Sequence, residues 1–318
     1  MTERIVVADI GGTHARFALA DRALTIGVRR VFASREFTSQ QALIDAYLAT
    51  LDARPGGIAI AVAGPVADGR ANLTNAAIRF DTRSLARRYG EALIVNDFVA
   101  ASLGVLHARP AELHRIGAGE PRAATKAVIG PGTGLGMGIL VPEGGAFRAL
   151  SSEGGHGDLA STDPLEHEIY QQLASVHGFV CWETVLSGPG IVNLYRAVCA
   201  VWGTQAVHDD PAAITAHATD AREPVCHQTV ELFCNLLGTA AGNLALTVCA
   251  EGGVYLCGGI VPAILAQLSA SHFRRRFETR GPLSDYARRI ATTAVTSDAL
   301  GLVGAAAAFW RERDQRPL

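Results

Sequence analysis

Residues 6–13, Val-Val-Ala-Asp-Ile-Gly-Gly-Thr, decide how the first part of the chain is predicted to fold. The β-branched run from Arg4 to Ala8 predicts a strand, the glycine pair interrupts it, and an apolar run resumes over Ala15 to Ala20. Two strands joined by Gly11-Gly12 predict a hairpin. Asp9 then stands at the end of a buried strand, before backbone that carries no side chain and can approach phosphate oxygens closely. Taken alone, such a glycine pair is more often just a tight turn.

The same order of strand, glycine turn and strand recurs further along the chain. Residues 126–129 predict a strand, residues 130–136 a glycine-rich turn, and residues 137–141 a second strand. A third glycine pair, Gly258-Gly259, also follows a predicted strand. Two related hairpins predict two lobes of related construction, and the three turns predict backbone-lined sites for the phosphates and adenosine of a nucleoside triphosphate. The sequence contains no phosphate-binding loop of the form GxxxxGK[ST]. It also has no dinucleotide fingerprint that runs from a strand into a helix.

Strands and helices alternate in the first part of the chain. Residues 40–51 and 82–89 have the apolar spacing of helices, and residues 58–63 and 92–95 are short apolar runs typical of buried strands. This alternation predicts an α/β protein with a parallel or mixed sheet covered by helices. A loop-like stretch at 108–125 separates it from a more helical second half. We predict a small α/β domain formed by residues 1–105 and 299–318, and a large α/β domain formed by residues 106–298.

Two helices of the second half carry further expectations. Residues 230–248 predict a long helix, in which Gly238 and Gly242 each cost roughly 1 kcal/mol unless close packing uses them. Residues 299–310 predict a final helix, which we expect against the first lobe.

Composition and charge exclude several classes of function. The 318 residues are 49% hydrophobic and 18% charged, with a formal net charge of −2 and no long run of like charges, which disfavours a nucleic-acid or membrane-surface binder. The longest apolar stretches are shorter than the ~20 residues of a membrane span. No signal peptide begins the sequence, so we expect a cytoplasmic protein. The six cysteines form no CxxC pair, so we expect reduced thiols and neither disulfides nor a structural metal.

Asn96-Asp97 follows the predicted strand at 92–95. Ligands of α/β sheets bind at the carboxyl ends of strands, a position that suits Asp97 as a general base. An ordinary turn or a helix N-cap is the alternative, and it explains most such pairs.

A second polar group, at residues 153–158, combines two acids and a histidine with three glycines. Metal binding is one interpretation of Glu153 and His156. No second histidine or cysteine stands nearby at a metal-ligand spacing, so hydrogen bonding to a polyhydroxylated ligand accounts better for the loop. Glu183 offers one more acceptor, although a lone glutamate usually lies on a solvated helix face.

These motifs together resemble the bacterial glucokinases, which belong to the hexokinase-like sugar kinases of the actin fold. The resemblance runs in order through nearly the whole chain. It is carried by DIGGT at 9–13, NDF at 96–98, GTGLG at 132–136, EGGH at 153–156, LSGPGIVNLYR at 186–196 and CGGIVP at 257–262.

The resemblance implies a two-lobed actin-like ATPase fold, related to ribonuclease H, with a cleft between a small and a large domain. It implies transfer of the γ-phosphoryl group of ATP to the 6-hydroxyl of glucose, with Mg²⁺ carried by the nucleotide, and a homodimer. Asp97 would accept the hydroxyl proton, while Asn96, Glu153, His156 and Glu183 would hold the other sugar hydroxyls. The nucleotide would contact Ala8, Asp9, Ile10, Gly11, Gly12, Thr13, Gly132, Thr133, Gly134, Gly258 and Gly259, with Asp9 orienting Mg²⁺ through water.

One departure from the wider family bears on metal content and on function. Related repressors and sugar kinases carry a CxCGxxGC zinc cluster after the EGGH-like loop, whereas residues 157–185 contain only Cys181, so we expect no zinc. Because only eight residues precede Asp9 in this sequence, we expect no DNA-binding segment of the kind that the repressors carry there, and a repressor role is disfavoured. The alternatives are an ATP or polyphosphate hydrolase on the same fold and a sugar-responsive regulator without activity.

Overall fold

The computed structural model describes residues 3–73 and 78–315, which form two compact units. The first unit comprises residues up to Arg109, the short segment Ala149–Ser151 and the chain from Ala299 onward. The second comprises Pro110–Arg148 and Ser152–Asp298. The part of the chain so described has no helix with the length and apolar character needed to span a membrane.

The first unit is built on one sheet of five strands, with a small second sheet and four helices. Its main sheet has the order β3-β2-β1-β4-β8, in which β1 pairs antiparallel with β2 and parallel with β4, and β4 pairs parallel with β8. The elements are β1 (Arg4–Ile10), β2 (His14–Asp21), β3 (Ile26–Ala33), α1 (Gln40–Leu48), β4 (Gly57–Val62), β5 (Val66–Ala67), β6 (Arg70–Asn72), β7 (Arg79–Asp81), α2 (Thr82–Tyr89), β8 (Glu91–Asn96) and α3 (Asp97–Val105).

The chain's last helix, α13 (Leu300–Gln315), completes the first unit. It packs on α3 and on β1, and its apolar face covers one side of the main sheet. The crossing of α3 and α13 is close because a Cβ on Gly104 would meet the backbone of Leu300, and one on Gly304 would meet the backbone of Ala100. Glycine at both positions therefore lets two buried helices touch through their backbones.

The second unit contains a sheet of six strands and most of the helices. Its strand order is β12-β11-β10-β13-β14-β9. The elements are β9 (Leu113–Arg115), β10 (Lys126–Pro131), β11 (Leu135–Glu143), β12 (Ala146–Ser152), α4 (Pro164–His177), α5 (Trp182–Val185), α6 (Gly188–Trp202), α7 (Pro211–His217), α8 (Pro224–Thr247), β13 (Val254–Leu256), α9 (Ile260–Ala263), α10 (Leu265–Ala270), α11 (Phe273–Glu278), α12 (Ser284–Arg289) and β14 (Thr292–Val295).

The two main sheets share one strand pattern. In each, the first strand of a hairpin lies near the centre, its antiparallel partners extend to one side, and parallel strands extend to the other. The order β3-β2-β1-β4-β8 thus corresponds to β12-β11-β10-β13-β14. The related hairpins predicted from the glycine turns are confirmed, and the relation extends through five strands of each sheet.

Helix α8 runs through the core of the second unit, as its apolar spacing predicts. Both glycines within it are sites of close packing, because a Cβ on Gly238 would meet the carbonyl of Phe273 and one on Gly242 would meet the guanidinium of Arg280. Glycine at these two positions lowers the intrinsic helix propensity of α8 but allows neighbouring segments to approach it closely.

The loop predicted at 108–125 is wrong in part. Strand β9 lies within it and pairs antiparallel with β14, which extends the second sheet by one edge strand. Its short sequence, Leu-His-Arg, carries little pattern of its own, so tertiary pairing decides its conformation. The sequence patterns also do not predict strands β3 and β12 or helices α4 and α6.

Candidate functional site

The candidate residues of the first unit gather at one edge of its sheet. Strands β1, β4 and β8 are parallel, and Ile10, Val62 and Asn96 stand in register across them. Asp9 and Asp97 therefore lie at the carboxyl ends of strands two positions apart, about 9–10 Å by ordinary strand spacing. Because ligands of open α/β sheets bind at this edge, it is the candidate binding edge of the first unit.

The turn after β1 is tight and braced from a neighbouring segment. The Gly11 N–H donates to the carbonyl of His14 at 2.9 Å. The buried hydroxyl of Ser34 donates to the Gly11 carbonyl at 2.7 Å, and the Ser34 N–H donates to the carbonyl of Thr13 at 3.0 Å. The Thr13 side chain is exposed at the tip, and Gly12 is partly buried. Ser34 carries no motif in the sequence, and only the fold shows that it supports this turn.

Ala8 and Ile10 have no exposed surface and belong to the hydrophobic core beneath the sheet. Their side chains therefore serve packing, and only their backbones could face a nucleotide. Asp9, between them on the strand, points to the opposite face and is 28% exposed. Strand alternation explains this split.

The Asp9 carboxylate lies in a recess made by a missing side chain. A Cβ on Gly301, in the first turn of α13, would lie 2.7 Å from Asp9 Oδ2. Burial raises the pKa of Asp9, and the positive charge of Arg16, whose Nη1 is 3.8 Å from Oδ2, opposes this shift. Gly301 was not predicted as a site residue, because its contact with Asp9 arises only from the packing of α13.

Asn96 and Asp97 join β8 to α3. Asn96 is the N-cap of α3, and its Oδ1 accepts hydrogen bonds from the N–H groups of Phe98 and Val99 at 2.9 and 3.0 Å. Its Nδ2 donates to the Gly64 carbonyl and to Asp97 Oδ1, both at 3.1 Å. The capping alternative for Asn96 is thus correct. Its amide also fixes the carboxylate of Asp97, which sits where a helix N-terminus favours negative charge.

The candidate residues of the second unit gather around the turn between β10 and β11. The Gly132 N–H donates to the Gly134 carbonyl at 2.8 Å, and Thr133 is exposed at the tip. The Gly188 N–H, at the start of α6, donates to the Gly132 carbonyl at 2.8 Å. The serine before it, Ser187, caps α6 by accepting from the Gly190 N–H at 2.9 Å. The LSGPG segment therefore supports this turn. From the sequence it was known only as part of a motif that carries the family resemblance.

Glu183 reaches the same turn with its side chain. Its Oε2 accepts a hydrogen bond from the Leu135 N–H at 2.8 Å, and a Cβ on Gly134 would clash with the carboxylate. Gly134 is therefore a position where a close approach requires the absence of a side chain. The sequence predicts both residues as site residues but gives no sign of this contact.

The Gly258-Gly259 pair lies beside the β10–β11 turn. Gly258 has φ +89°, and a Cβ there would meet the carbonyl of Pro131. Both the left-handed conformation and the close approach require glycine. Gly259 follows as the residue before α9 and is exposed.

The EGGH loop packs on β11. A Cβ on Gly155 would meet the carbonyl of Leu135, so this loop and the β10–β11 turn share one strand. Glu153 and His156 are exposed, and His156 Nδ1 lies 4.0 Å from the Cys181 thiol. The hydrogen bond with Cys181 and the negative charge of Glu183 raise the pKa of His156. Burial opposes ionisation of Cys181, but hydrogen bonds with Thr184 and His156 lower the pKa of its thiol overall.

Each unit thus brings its own predicted residues together. The first gathers Asp9, the 11–13 turn, Asn96 and Asp97 at one sheet edge; the second gathers the 132–134 turn, Glu153, His156, Glu183 and the 258–259 pair around the start of β11. The residues missed from the sequence, Ser34, Ser187, Gly188 and Gly301, act through backbone contacts or through space that they leave open.

The chain is similar to known proteins along nearly its whole length. A family model described as glucokinase matches residues 6–312. The glucokinase of Nitrobacter hamburgensis is 40% identical, over 96% of this chain and 97% of the relative. The crystal structure of a glucokinase from an Antarctic psychrotroph has a TM-score of 0.87 and 38% identity, with 98% of this chain and 100% of that chain covered. A ROK family glucokinase from Streptomyces griseus, solved with glucose and AMPPNP, has a TM-score of 0.68 at 20% identity, over 96% and 98% of the two chains.

These likenesses, with the paired sheets, define the two-lobed actin-like fold of the sugar kinases, as the sequence predicted. Within that class the chain belongs to the glucokinase family, whose members are ATP-dependent hexose kinases.

Proposed function

We propose that this chain transfers the γ-phosphoryl group of ATP to the 6-hydroxyl of glucose, giving glucose 6-phosphate and ADP, with Asp97 as the base. The observation that carries the proposal is the position of Asp97. It lies in the first turn of α3, at the sheet edge that also presents Asp9 and the 11–13 turn, and Asn96 fixes its carboxylate. Phosphoryl transfer needs little covalent help and depends on positioning and charge stabilisation, which such a rigidly held carboxylate supplies.

For the nucleotide, we propose that the two glycine turns bind the phosphates through backbone N–H groups other than those of Gly11 and Gly132, which donate within the turns. The Thr13 and Thr133 hydroxyls would be further donors. The Gly258-Gly259 pair would lie against the adenosine. Ala8 and Ile10 would contribute backbone only, because their side chains are buried. Turns that expose successive N–H groups without side chains are suited to anions.

A divalent cation, Mg²⁺, is proposed to enter with ATP. A single carboxylate with water and phosphate oxygens is the ligand set that Mg²⁺ usually takes, and Asp9 offers that carboxylate in the space left by Gly301. When bound, the ion neutralises charge on the phosphates. Asp9 would hold it through water, while Arg16 limits the negative charge at this point.

For the sugar, we propose that Asn96, Glu153, His156 and Glu183 bind hydroxyls other than the one that reacts. Asn96 would exchange one of its Nδ2 hydrogen bonds, to Gly64 or to Asp97, for the sugar. Carboxylates accept and the raised pKa of His156 favours a donating imidazolium, so the set combines acceptors with donors. A hexose with a missing or inverted hydroxyl would leave one of these groups unpaired, which penalises the wrong sugar.

We further propose a cytoplasmic homodimer whose product enters glycolysis, as the family resemblance implies. Val176 and Phe179, which are 77% and 62% exposed near the end of α4, offer apolar surface for a second copy. Light scattering coupled to size exclusion tests the dimer. A monomeric mass would contradict it.

The activity is tested by a panel of hexoses crossed with ATP, ADP and polyphosphate on the purified protein. We expect turnover with glucose and ATP, and a loss of at least ~100-fold in kcat for Asp97→Asn, the usual weight of a general base. Asp81→Asn is the matched control, because Asp81 also lies at a helix start and asparagine keeps its capping role. Glucose-independent ATP hydrolysis would favour a hydrolase, and sugar binding without turnover would favour a regulator.

A further inference from the structure

Three metal-ligating side chains converge in the second unit. His208 lies in the connection between α6 and α7, Glu223 is the residue before α8, and Cys226 lies in the first turn of α8. His208 Nε2 is 3.6 Å from Glu223 Oε2, and the Cys226 Sγ is 4.0 Å from the same oxygen. The ligand atoms of all three residues lie within 4.8 Å of one another.

The histidine of this group has a buried nitrogen that makes no hydrogen bond. His208 Nε2 has no hydrogen-bond partner among residues 3–73 and 78–315, since Glu223 Oε2, at 3.6 Å, lies just beyond hydrogen-bond distance. A buried nitrogen without a hydrogen bond costs free energy, so a native one calls for an explanation. The imidazole is also held in place, because it stacks on His217 at 5.0 Å between ring centroids and contacts Tyr195 at 5.6 Å.

The other two ligands have the chemistry that complements this nitrogen. The Cys226 side chain is completely buried, and the Glu223 side chain is about one-third exposed, at 34%. A tetrahedral ion with one nitrogen, one sulfur and one oxygen ligand separates those atoms by roughly 3.3–3.8 Å, given ordinary zinc bond lengths. The 3.6 Å separation lies within that range, the 4.0 Å separation lies just outside it, and the His208 nitrogen and Cys226 Sγ, which are within 4.8 Å of each other, would move together on binding.

We propose that His208, Glu223 and Cys226 bind one Zn²⁺ ion, with a water molecule at the fourth position on the exposed side of the carboxylate. On binding, the Cys226 thiol proton passes to water and the thiolate, carboxylate and neutral imidazole coordinate the ion. One thiolate and one carboxylate balance the charge of Zn²⁺, so the buried group is neutral. The ion would tie the α6–α7 connection to the first turn of α8.

The proposed site uses none of residues 153–158 and differs from the sequence-based expectation of no structural metal. The ligands stand at positions 208, 223 and 226, a spacing that matches no zinc motif with paired cysteines. Only the folding of the α6–α7 connection onto the start of α8 brings the histidine to the other two.

The test is metal binding by the full chain, freed of metal by a chelator and then titrated with Zn²⁺ or Co²⁺. We expect one ion per chain, a thiolate-to-Co²⁺ charge-transfer absorption, and a higher thermal midpoint with Zn²⁺. Cys226→Ser should abolish the charge-transfer band, and His208→Gln should weaken Zn²⁺ binding at least about tenfold, the low end for disturbing a metal site.

Cys249→Ser and His167→Gln are the matched controls, because both residues are exposed and lie outside the group. They should bind the metal like the wild type. Circular dichroism checks that each variant is folded. If Cys226→Ser does not fold, zinc binding by His208→Gln tests the proposal, because His208 lies in a connection rather than in the core. Absence of tight uptake by the wild type, or equal uptake by His208→Gln, would overturn the proposal.

Discussion

The Glu183 carboxylate accepts a hydrogen bond from the Leu135 N–H at 2.8 Å, and so joins the short helix α5 to the turn between β10 and β11. A residue proposed to bind the sugar is thereby also a support of the turn proposed to bind phosphate. Since Gly134 packs directly against the same carboxylate, a movement of the Glu183 side chain would also displace the turn.

We predict that Glu183→Ala weakens both substrates, while Glu183→Gln weakens mainly glucose. A glutamine oxygen can still accept from Leu135, but it loses the charge that strengthens a bond to a sugar hydroxyl. Hydrogen bonds to charged groups contribute about 1.5–3 kcal/mol, so KM for glucose should rise roughly ten- to a hundredfold in both variants. Steady-state kinetics and calorimetric ADP binding measure the split, with the exposed Glu168→Gln as control. Unchanged nucleotide affinity in Glu183→Ala would refute the support role.

Asn96 allows capping and catalysis to be separated. Asn96→Asp keeps an acceptor for the N–H groups of Phe98 and Val99, but it loses the amide that donates to Asp97 and places a second carboxylate beside it. It also loses the hydrogen bond to the Gly64 carbonyl, so we predict an unfolding free energy lower by about 1 kcal/mol, with kcat reduced at least tenfold. Asn96→Ala should in addition lose about 0.5–2 kcal/mol of unfolding free energy with the cap. Urea denaturation and a coupled assay measure the two effects, and full activity in Asn96→Asp would show that Asp97 needs no such orientation.

Gly301 is predicted to be required for activity although it lies in a helix. Gly301→Ala places a Cβ 2.7 Å from Asp9 Oδ2, so the carboxylate must move. Overpacking typically costs about 1–3 kcal/mol, and the helix propensity of alanine returns up to about 1 kcal/mol. The unfolding free energy should therefore fall by up to about 2 kcal/mol, while kcat/KM for Mg-ATP falls at least tenfold. Gly27→Ala, where nothing lies within 4 Å of the new Cβ, is the control. An unaltered kcat/KM would separate Asp9 from nucleotide binding.

The pair formed by His156 and Cys181 predicts a pH dependence. The pKa of His156 is raised above its ordinary value of 6.5, first by the hydrogen bond with Cys181 and then by the charge of Glu183. A raised pKa means that protonation favours the folded state: this stabilisation is complete below 6.5 and is lost as pH rises through the raised pKa. Because His156 is exposed, the effect on unfolding free energy is small.

Nuclear magnetic resonance titration of the His156 ring measures this shift directly. Cys181→Ala should lower the pKa of His156 toward its ordinary value, whereas Cys249→Ala, at an exposed cysteine, should leave it raised. A His156 pKa that is the same in the wild type and in Cys181→Ala would contradict the assigned cause.

The sequence predicts the elements whose patterns are local. The hairpin of β1 and β2, helix α2, strand β8 and helix α8 appear where periodicity and glycine punctuation predict them. Strand β9 is missed because three residues carry no usable period, and its conformation is set by pairing with β14. The division into a small and a large domain, and the role of each site residue, stay predictions.

The candidate site shows the same limit. Glu183 and Gly134 are both predicted from the sequence, but their contact joins residues far apart in the chain and has no local signature. Asn96 differs, because both of its sequence-based interpretations were local. Its Oδ1 caps α3, and its Nδ2 donates to the candidate base Asp97. Ser34 holds the turn after β1 by hydrogen bonds, and Gly301 leaves space for Asp9. Both roles arise from tertiary contacts that no local sequence pattern indicates.

The packing of α13 has a consequence for how the chain matures during synthesis. The side chains of Ile5, Val7 and Ala59 share one apolar cluster with Leu302, Phe309 and Trp310 of α13, which a ribosome adds hundreds of residues later. During synthesis this face of the first strands therefore stays open to water until α13 has been made, as an apolar surface of the kind that chaperones bind. A chain that lacked α13 would keep that surface exposed after its other elements had formed.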